Sequence, residues 1–203
     1  MKLYDCKAAA NPRSIRMALA EKAIDVECVQ IDLFKGEQHG EAFRKINPFG
    51  SVPCLELDDG AVIGESAAIA RYLEARQPQP RLLGSTPKEQ AVIAMWQRRV
   101  EDGVLNAATT FFHHATSGLG ETGRYRNADW GQANKKRFVD ALGMLDRQLA
   151  GRAYVAGDGF SFADITAICG IDFAKAVGIE LPDGLPNLKA WHARISSRPS
   201  ASA

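Results

Sequence analysis

The residues with the most chemical promise stand in two short stretches of the N-terminal half. In the first, Asn47-Pro48-Phe49-Gly50-Ser51-Val52-Pro53-Cys54-Leu55-Glu56-Leu57, a proline opens a β-prone run. Proline cannot donate to a ladder, and when its peptide bond is cis it turns the preceding backbone outward. Val52 would then present its N–H and C=O as a one-residue edge on which an extended peptide can pair. The second stretch, Gly64-Glu65-Ser66, begins a helical pattern. Free backbone N–H groups and the positive end of the helix dipole hold a carboxylate at such a start. Taken singly, Pro53 can be an edge-strand breaker and Ser66 an N-cap. Taken together, in this order and spacing, they describe a receptor for a small acidic peptide.

Positioning these residues takes both backbone periodicities. Lys2-Leu3-Tyr4 is a short β-prone start, and Asn11-Pro12 supplies an N-cap with proline at the first helical position. A helix is expected from about Pro12 to Lys22, with Ile15, Leu19 and Ala23 on its apolar stripe and Ala18 beside it. Val26 to Ile31 and Val52 to Leu57 alternate as half-buried strands, and Asp58-Asp59-Gly60 turns the second into Ala61-Val62-Ile63. Ser66 to Glu74 is helical, with Ala67, Ile69, Ala70 and Leu73 inward. The order is β-α-β, an irregular stretch, then β-β-α.

Gln77-Pro78-Gln79-Pro80-Arg81-Leu82-Leu83-Gly84-Ser85-Thr86-Pro87 reads as a linker. Beyond it there is no convincing strand. Thr86-Pro87-Lys88-Glu89 is a capping box that launches a long helix through Val92, Met95, Trp96 and Val100. A further helix covers about Trp130 to Ala150. Ser161-Phe162-Ala163-Asp164 is a second capping box, followed by Ile165 to Ile171, which is apolar on every side and so a buried helix. Leu188 to Ile195 closes the chain as an amphipathic helix. The expected division is residues 1–76, a linker over 77–87 and an all-helical part over 88–203.

Composition narrows the function. Among 203 residues, 25 basic and 24 acidic side chains leave a formal charge of +1, with no electrostatic footprint for a phosphate backbone. Residues 1–76 carry a net −2 and residues 77–203 a net +3, so neither half is dominated by one sign. Nucleic acid is excluded as a first reading. No apolar run approaches the length of about 20 residues that a membrane-spanning helix needs, and MKLYDCKAAANPR lacks a continuous apolar leader core, so a cytoplasmic protein is expected. Cys6, Cys28, Cys54 and Cys169 have no Cys-x-x-Cys spacing, and His39, His113, His114 and His192 no helical ligand spacing. No metal site is expected.

With these motifs in hand the chain resembles the glutathione S-transferase family over essentially its whole length. The first half looks like that family's α/β thioredoxin-like domain and the second like its all-α helical bundle domain. Ser161-x-x-Asp164 and Trp191-His192-Ala193-Arg194, followed by Arg198-Pro199, match its second domain. The resemblance implies glutathione as cosubstrate, a homodimer, and conjugation of the thiolate to small hydrophobic electrophiles. It implies Val52, before Pro53, pairing with the cysteinyl backbone, and Glu65 and Ser66 holding the γ-glutamyl group. Gln38, five positions before Phe43, falls where a side chain binds the glycyl carboxylate, with His39 as the neighbouring alternative.

The residue that activates the thiol is where the chain departs from the family pattern. The serine or cysteine position of the thiol- and hydroxyl-using classes is occupied by Ala10, within Ala8-Ala9-Ala10. Tyr4 counts to the place of the tyrosine used by other classes, Ser14 lies in the first helical turn, and Cys6 is a third candidate. Phe111-Phe112-His113-His114-Ala115-Thr116-Ser117-Gly118 most resembles an atypical fungal and bacterial class in which a water held by histidine and hydroxyl side chains activates the thiol. Histidine titrates near ~6.5 and suits such a relay. Ser14 and His114 are the preferred catalytic candidates, with His113, Ser117 and Thr116 behind them. The N–H groups following Asn11-Pro12 offer a second means, because one helix dipole plus one hydrogen bond supplies the ~1.4 kcal/mol that each unit of thiol pKa requires. Asp102 is a candidate to reach a partner's γ-glutamyl amine. The alternatives are a non-catalytic glutathione-binding module and, with no thiol at Ala10, a glutathione-dependent disulfide reductase.

Overall fold

The computed structural model describes residues 1–123 and 125–203. Four strands, β1 (Lys2–Asp5), β2 (Glu27–Gln30), β3 (Cys54–Glu56) and β4 (Val62–Gly64), form one sheet in the order β2-β1-β3-β4. β1 runs parallel to β2 and antiparallel to β3, and β3 pairs antiparallel with β4. The parallel pair needs a crossover, which α1 (Ala10–Glu21) supplies. The antiparallel pair needs only a tight turn, and Gly60, at φ 86°, closes it with its N–H on the Leu57 carbonyl. Leu3 on β1 and Leu55 on β3 stand opposite one another and are fully buried against α1 and α3 (Ser66–Arg76). The expected strand over Val26 to Ile31 is shorter and lies at the exposed edge of the sheet.

Two expectations are corrected here. The segment read as irregular holds a 3₁₀ turn (Glu37–His39) and a short helix α2 (Glu41–Ile46). Six residues with only Phe43 buried are too few to print a helical period. The helix expected from Pro12 begins at Ala10, with Ala9 and not Asn11 as its N-cap. A turn from the Ala9 N–H to the Cys6 carbonyl starts it early, and Pro12 is tolerated in the first turn because those N–H groups have no intrahelical partner.

After the linker the elements among the described residues are helices, chief among them α4 (Pro87–Val100), a π-helical turn (Glu101–Leu105), α5 (Asn106–Ala115), α6 (Ala128–Leu149), α7 (Phe162–Ala176) and α8 (Pro186–Ser196). The Thr86 capping box is formed in full, and the long helix it launches runs on through the π turn to Ala115. Two glycines let neighbours close on that turn. A Cβ on Gly170 of α7 would stand 2.9 Å from Leu105 Cα, and one on Gly103 3.1 Å from Ala141 Cβ of α6. α7 is buried from Phe162 through Ile171. Its Asp164 accepts from Ser161 N–H and Oγ, Val155 N–H and the Trp191 indole, so this buried carboxylate is fully partnered. α1 joins the two halves: Met17 meets Cys169, Arg13 pairs with Asp172, and Glu21 takes the guanidinium of Arg198 at 2.7 and 2.8 Å.

Candidate active site

A cavity of about 510 Å³ opens between the sheet half and the helical half. One side is Cys6, Ala8 through Pro12, Leu33, Phe34, Gln38, His39 and Gly50 through Val52; the other is Thr109, Phe112, His113, Leu119, Thr122, Gly123, Phe173, Ala176 and Val177. The N-terminus of α1 faces this space, and its donors can be counted. Ala9 offers no side-chain cap, Pro12 has no N–H, and the Arg13 N–H is bonded to the Ala9 carbonyl at 3.2 Å. The N–H groups of Ala10 and Asn11 are left without an acceptor among the described residues. The available amides thus precede Pro12, where the sequence reading put them after it.

Val52 lies on the same side of the cavity, before a cis peptide bond to Pro53, and no hydrogen bond among the described residues uses its N–H or C=O. Gln38, from the 3₁₀ turn, is 4% exposed. Its Nε2 donates to the Leu33 carbonyl at 3.5 Å and lies 3.3 Å from His39 Nε2. Its Oε1 has no partner, alone among buried side-chain polar atoms of the described residues. An orphaned buried acceptor costs about 1–3 kcal/mol, a debt a ligand N–H would cancel. Gly50 permits this closeness, since a Cβ there would fall 2.8 Å from the Gln38 carbonyl oxygen.

Glu65 and Ser66 stand beside the cavity and do not line it. Glu65 caps α3 in a left-handed conformation (φ 64°), and its carbonyl accepts from Ala68 and Ile69. The N–H groups of Ser66 and Ala67 are therefore open to an anion. Ser66 Oγ reaches the Asn11 carbonyl at 3.4 Å, which ties this helix start to the floor of the cavity.

The activator candidates sort differently. Ser14 is 1% exposed, does not line the cavity, and turns its hydroxyl back onto the Asn11 carbonyl at 2.7 Å. His114 accepts the Asn127 N–H on Nδ1 at 3.1 Å and does not line the cavity, whereas His113 does, with its ring edge-on to Phe112. Tyr4 does not line the cavity and donates to Glu56 at 2.6 Å; that hydrogen bond, then burial, pushes its phenol up to about 12. Thr116 caps α5 through the Phe112 carbonyl, Ser117 is exposed outside the cavity, and Asp102 is paired with Arg137 of the same chain. Neither catalytic candidate preferred from sequence is brought to the cavity, and the histidine that reaches it is the neighbour.

Sequence reasoning missed Thr122. Its hydroxyl donates to Leu119 O at 2.8 Å and to Leu33 O at 3.2 Å, crossing from the helical half to the sheet half over the cavity mouth. A threonine in a glycine-rich turn carries no signal of a partner so distant in sequence.

The fold and this cavity define a thioredoxin-like sheet domain with a helical bundle, the architecture of glutathione-using transferases. The models of the glutathione S-transferase N-terminal and C-terminal domains match residues 10–76 and 102–199. The chain belongs to the glutathione S-transferase family. It is 43% identical over 203 residues to glutathione S-transferase 2 of Saccharomyces cerevisiae, covering 98% of this chain and 87% of that protein. The crystal structure of a glutathione S-transferase domain-containing protein from Marinobacter aquaeolei superposes with a TM-score of 0.96 at 43% identity, over 98% and 99% of the two chains. That of Gtt2 from Saccharomyces cerevisiae gives 0.96 at 42% identity, over 100% and 99%. The protein is a glutathione transferase, and glutathione is its cosubstrate.

Proposed function

We propose that the glutathione sulfur sits at the N-terminus of α1 as a thiolate, held by the Ala10 and Asn11 N–H groups, and attacks small hydrophobic electrophiles in detoxification. The observation that carries this is the pair of unbonded amides, Ala10 and Asn11, among the residues that line the cavity. A free thiol titrates near ~8.5, and a helix N-terminus lowers it. Val52 pairs with the cysteinyl backbone, Gln38 takes the glycyl end, and the Ser66 and Ala67 amides take the γ-glutamyl carboxylate beside Glu65. The electrophile lies against Phe112 and Phe173, whose rings meet edge-on at 5.5 Å. His113 is the titratable ring beside it.

Residues 1–76 serve as the glutathione-binding unit and 88–203 as the electrophile-binding unit, joined by the linker 77–87. The protein works as a homodimer; Phe49, 85% exposed beside the Val52 edge, supports a surface covered by a second copy. Four free cysteines suit a reducing, cytoplasmic setting.

Asn11→Pro removes one amide donor and leaves a residue tolerated in the first helical turn. The thiolate absorbance of bound glutathione, titrated against pH, should shift upward by about one unit, with conjugation of an aryl halide falling in parallel. An unchanged titration would refute the amide site.

A further inference from the structure

Cys6 is buried, 8% exposed, yet packs into neither hydrophobic cluster of the protein. It lines the cavity instead. The turn that starts α1, from Ala9 N–H to Cys6 O at 2.9 Å, ties it directly to the helix start whose Ala10 and Asn11 amides are open. A second feature of the same cavity points independently to a peptide-like ligand: Gln38, 4% exposed, is one of its lining residues, and its Oε1 has no partner among the described residues. A glutathione whose sulfur is drawn to those amides has the Cys6 thiol as a neighbour.

The other three cysteines are differently placed. Cys54 is fully buried, and burial pushes its thiol up to about 11; Cys169 is buried against Met17 and pushed up to about 12. Cys28 is exposed on the edge strand, outside the cavity.

We propose that Cys6 is a glutathionylation site inside the active cavity, through which glutathione disulfide switches the enzyme off. The Cys6 thiolate attacks one sulfur of the disulfide; a Cys6–glutathione disulfide forms, the original S–S bond breaks, and one glutathione leaves as thiolate. A second glutathione thiolate attacks the mixed disulfide, restoring the Cys6 thiolate and releasing glutathione disulfide. The forward step consumes one disulfide bond and makes one, so no further oxidant is required. While the adduct stands, the tethered tripeptide fills the space that the substrate thiol needs. This rests on the reading of the cavity as the glutathione site.

The test incubates the full-length protein with glutathione disulfide and follows intact mass, peptide mapping and aryl-halide conjugation together. One glutathionyl group on Cys6 is expected, with conjugation lost in proportion to the adduct and recovered on adding dithiothreitol. Cys28→Ser should give the same result. Cys6→Ser and Cys6→Ala should gain no cavity adduct, and their own conjugation rates should not change during the incubation. Adduct confined to Cys28, or a Cys6 adduct that leaves conjugation untouched, overturns the proposal. Calorimetry with S-methylglutathione on the Cys6→Ala protein separates the two layers. Binding without wild-type adduct overturns the Cys6 switch alone, and no binding overturns the glutathione site and the switch with it.

Discussion

Arg13 Nη1 lies 2.8 Å from Asp172 Oδ2, and this ion pair fastens the first turn of α1 to α7 across the two halves of the protein. Arg13 follows the two open amides of the cavity floor, and Asp172 precedes Phe173 on its far wall. His192 holds the other carboxylate oxygen at 2.7 Å, and Arg13 also donates to the Ala201 carbonyl. The clasp therefore sets the spacing of the cavity as well as the docking of the domains.

Its pH dependence has a definite sign. Burial alone would raise the Asp172 carboxyl, but hydrogen bonds from His192 and Arg13 outweigh it and hold the group below the usual carboxylate range. A carboxyl whose folded pKa is depressed stabilises fully above its unfolded value near ~4, and loses that contribution as pH falls through the folded one. Asp172→Asn should lower the Tm at neutral pH, by about 1–3 kcal/mol of stability, and flatten its decline in acid. Some acid sensitivity should persist through Glu21, which Arg198 and Ser200 hold down in the same way against the upward push of burial. A Tm–pH profile parallel to wild type would contradict this role for Asp172.

The activator question yields a comparison among four variants. Tyr4→Phe, Ser14→Ala and His114→Gln each remove a group that does not line the cavity and is engaged in another hydrogen bond, so kcat/KM for an aryl halide should stay near wild type. Tyr4→Phe should still cost about 1 kcal/mol of stability through the lost bond to Glu56. His113→Gln should lower kcat/KM at least ~tenfold, equivalent to ~1.4 kcal/mol of transition-state stabilisation. A larger loss for His114→Gln than for His113→Gln would reverse this assignment.

The placement of the two histidines, with His113 and not His114 lining the cavity, shows where the sequence stops being informative. Successive residues on a helix differ by about 100°, so which of two adjacent histidines meets a cavity depends on helical phase. The phase of α5 is set by the π turn at Glu101–Leu105, which inserts into a continuous helical pattern without leaving a mark on it. The capping boxes at Thr86 and Ser161, by contrast, are local rules, readable directly and formed as read. Gln38 and Val52, singled out through family spacing, both line the cavity. The Ser14 hydroxyl takes a local acceptor, the carbonyl three residues back, a choice that residue type and position do not reveal.

Gln38 offers a case in which binding and stability move in opposite directions. Gln38→Leu removes an amide whose Oε1 is orphaned in the free protein, so the unliganded Tm should hold or rise. Glutathione should lose a partner, raising its KM by roughly tenfold, or ~1.4 kcal/mol. Thermal shift with and without glutathione measures both at once. A fall in unliganded Tm with no change in the ligand-induced shift would make Gln38 a structural residue only.

Thr122 provides the last test, because its hydroxyl is the direct polar link across the mouth of the cavity. Thr122→Val keeps the shape and the methyl, whose Cγ2 would stand 3.3 Å from a Cβ placed on Gly36, and deletes the donor to Leu33 and Leu119. Leu119 and Thr122 stand on the helical side of the cavity with Phe112 and Phe173, so the loosened contact should raise the KM for the electrophile several-fold, while the KM for glutathione, set by the α1 amides, Val52 and Gln38, stays constant. Where closure limits turnover, opening the mouth also speeds product release, and kcat for a bulky product should then rise. A Thr122→Val enzyme whose two KM values rise together would mean that Leu33 supports Gln38 rather than the electrophile pocket, since Leu33 O is the acceptor that Gln38 Nε2 and Thr122 Oγ1 share.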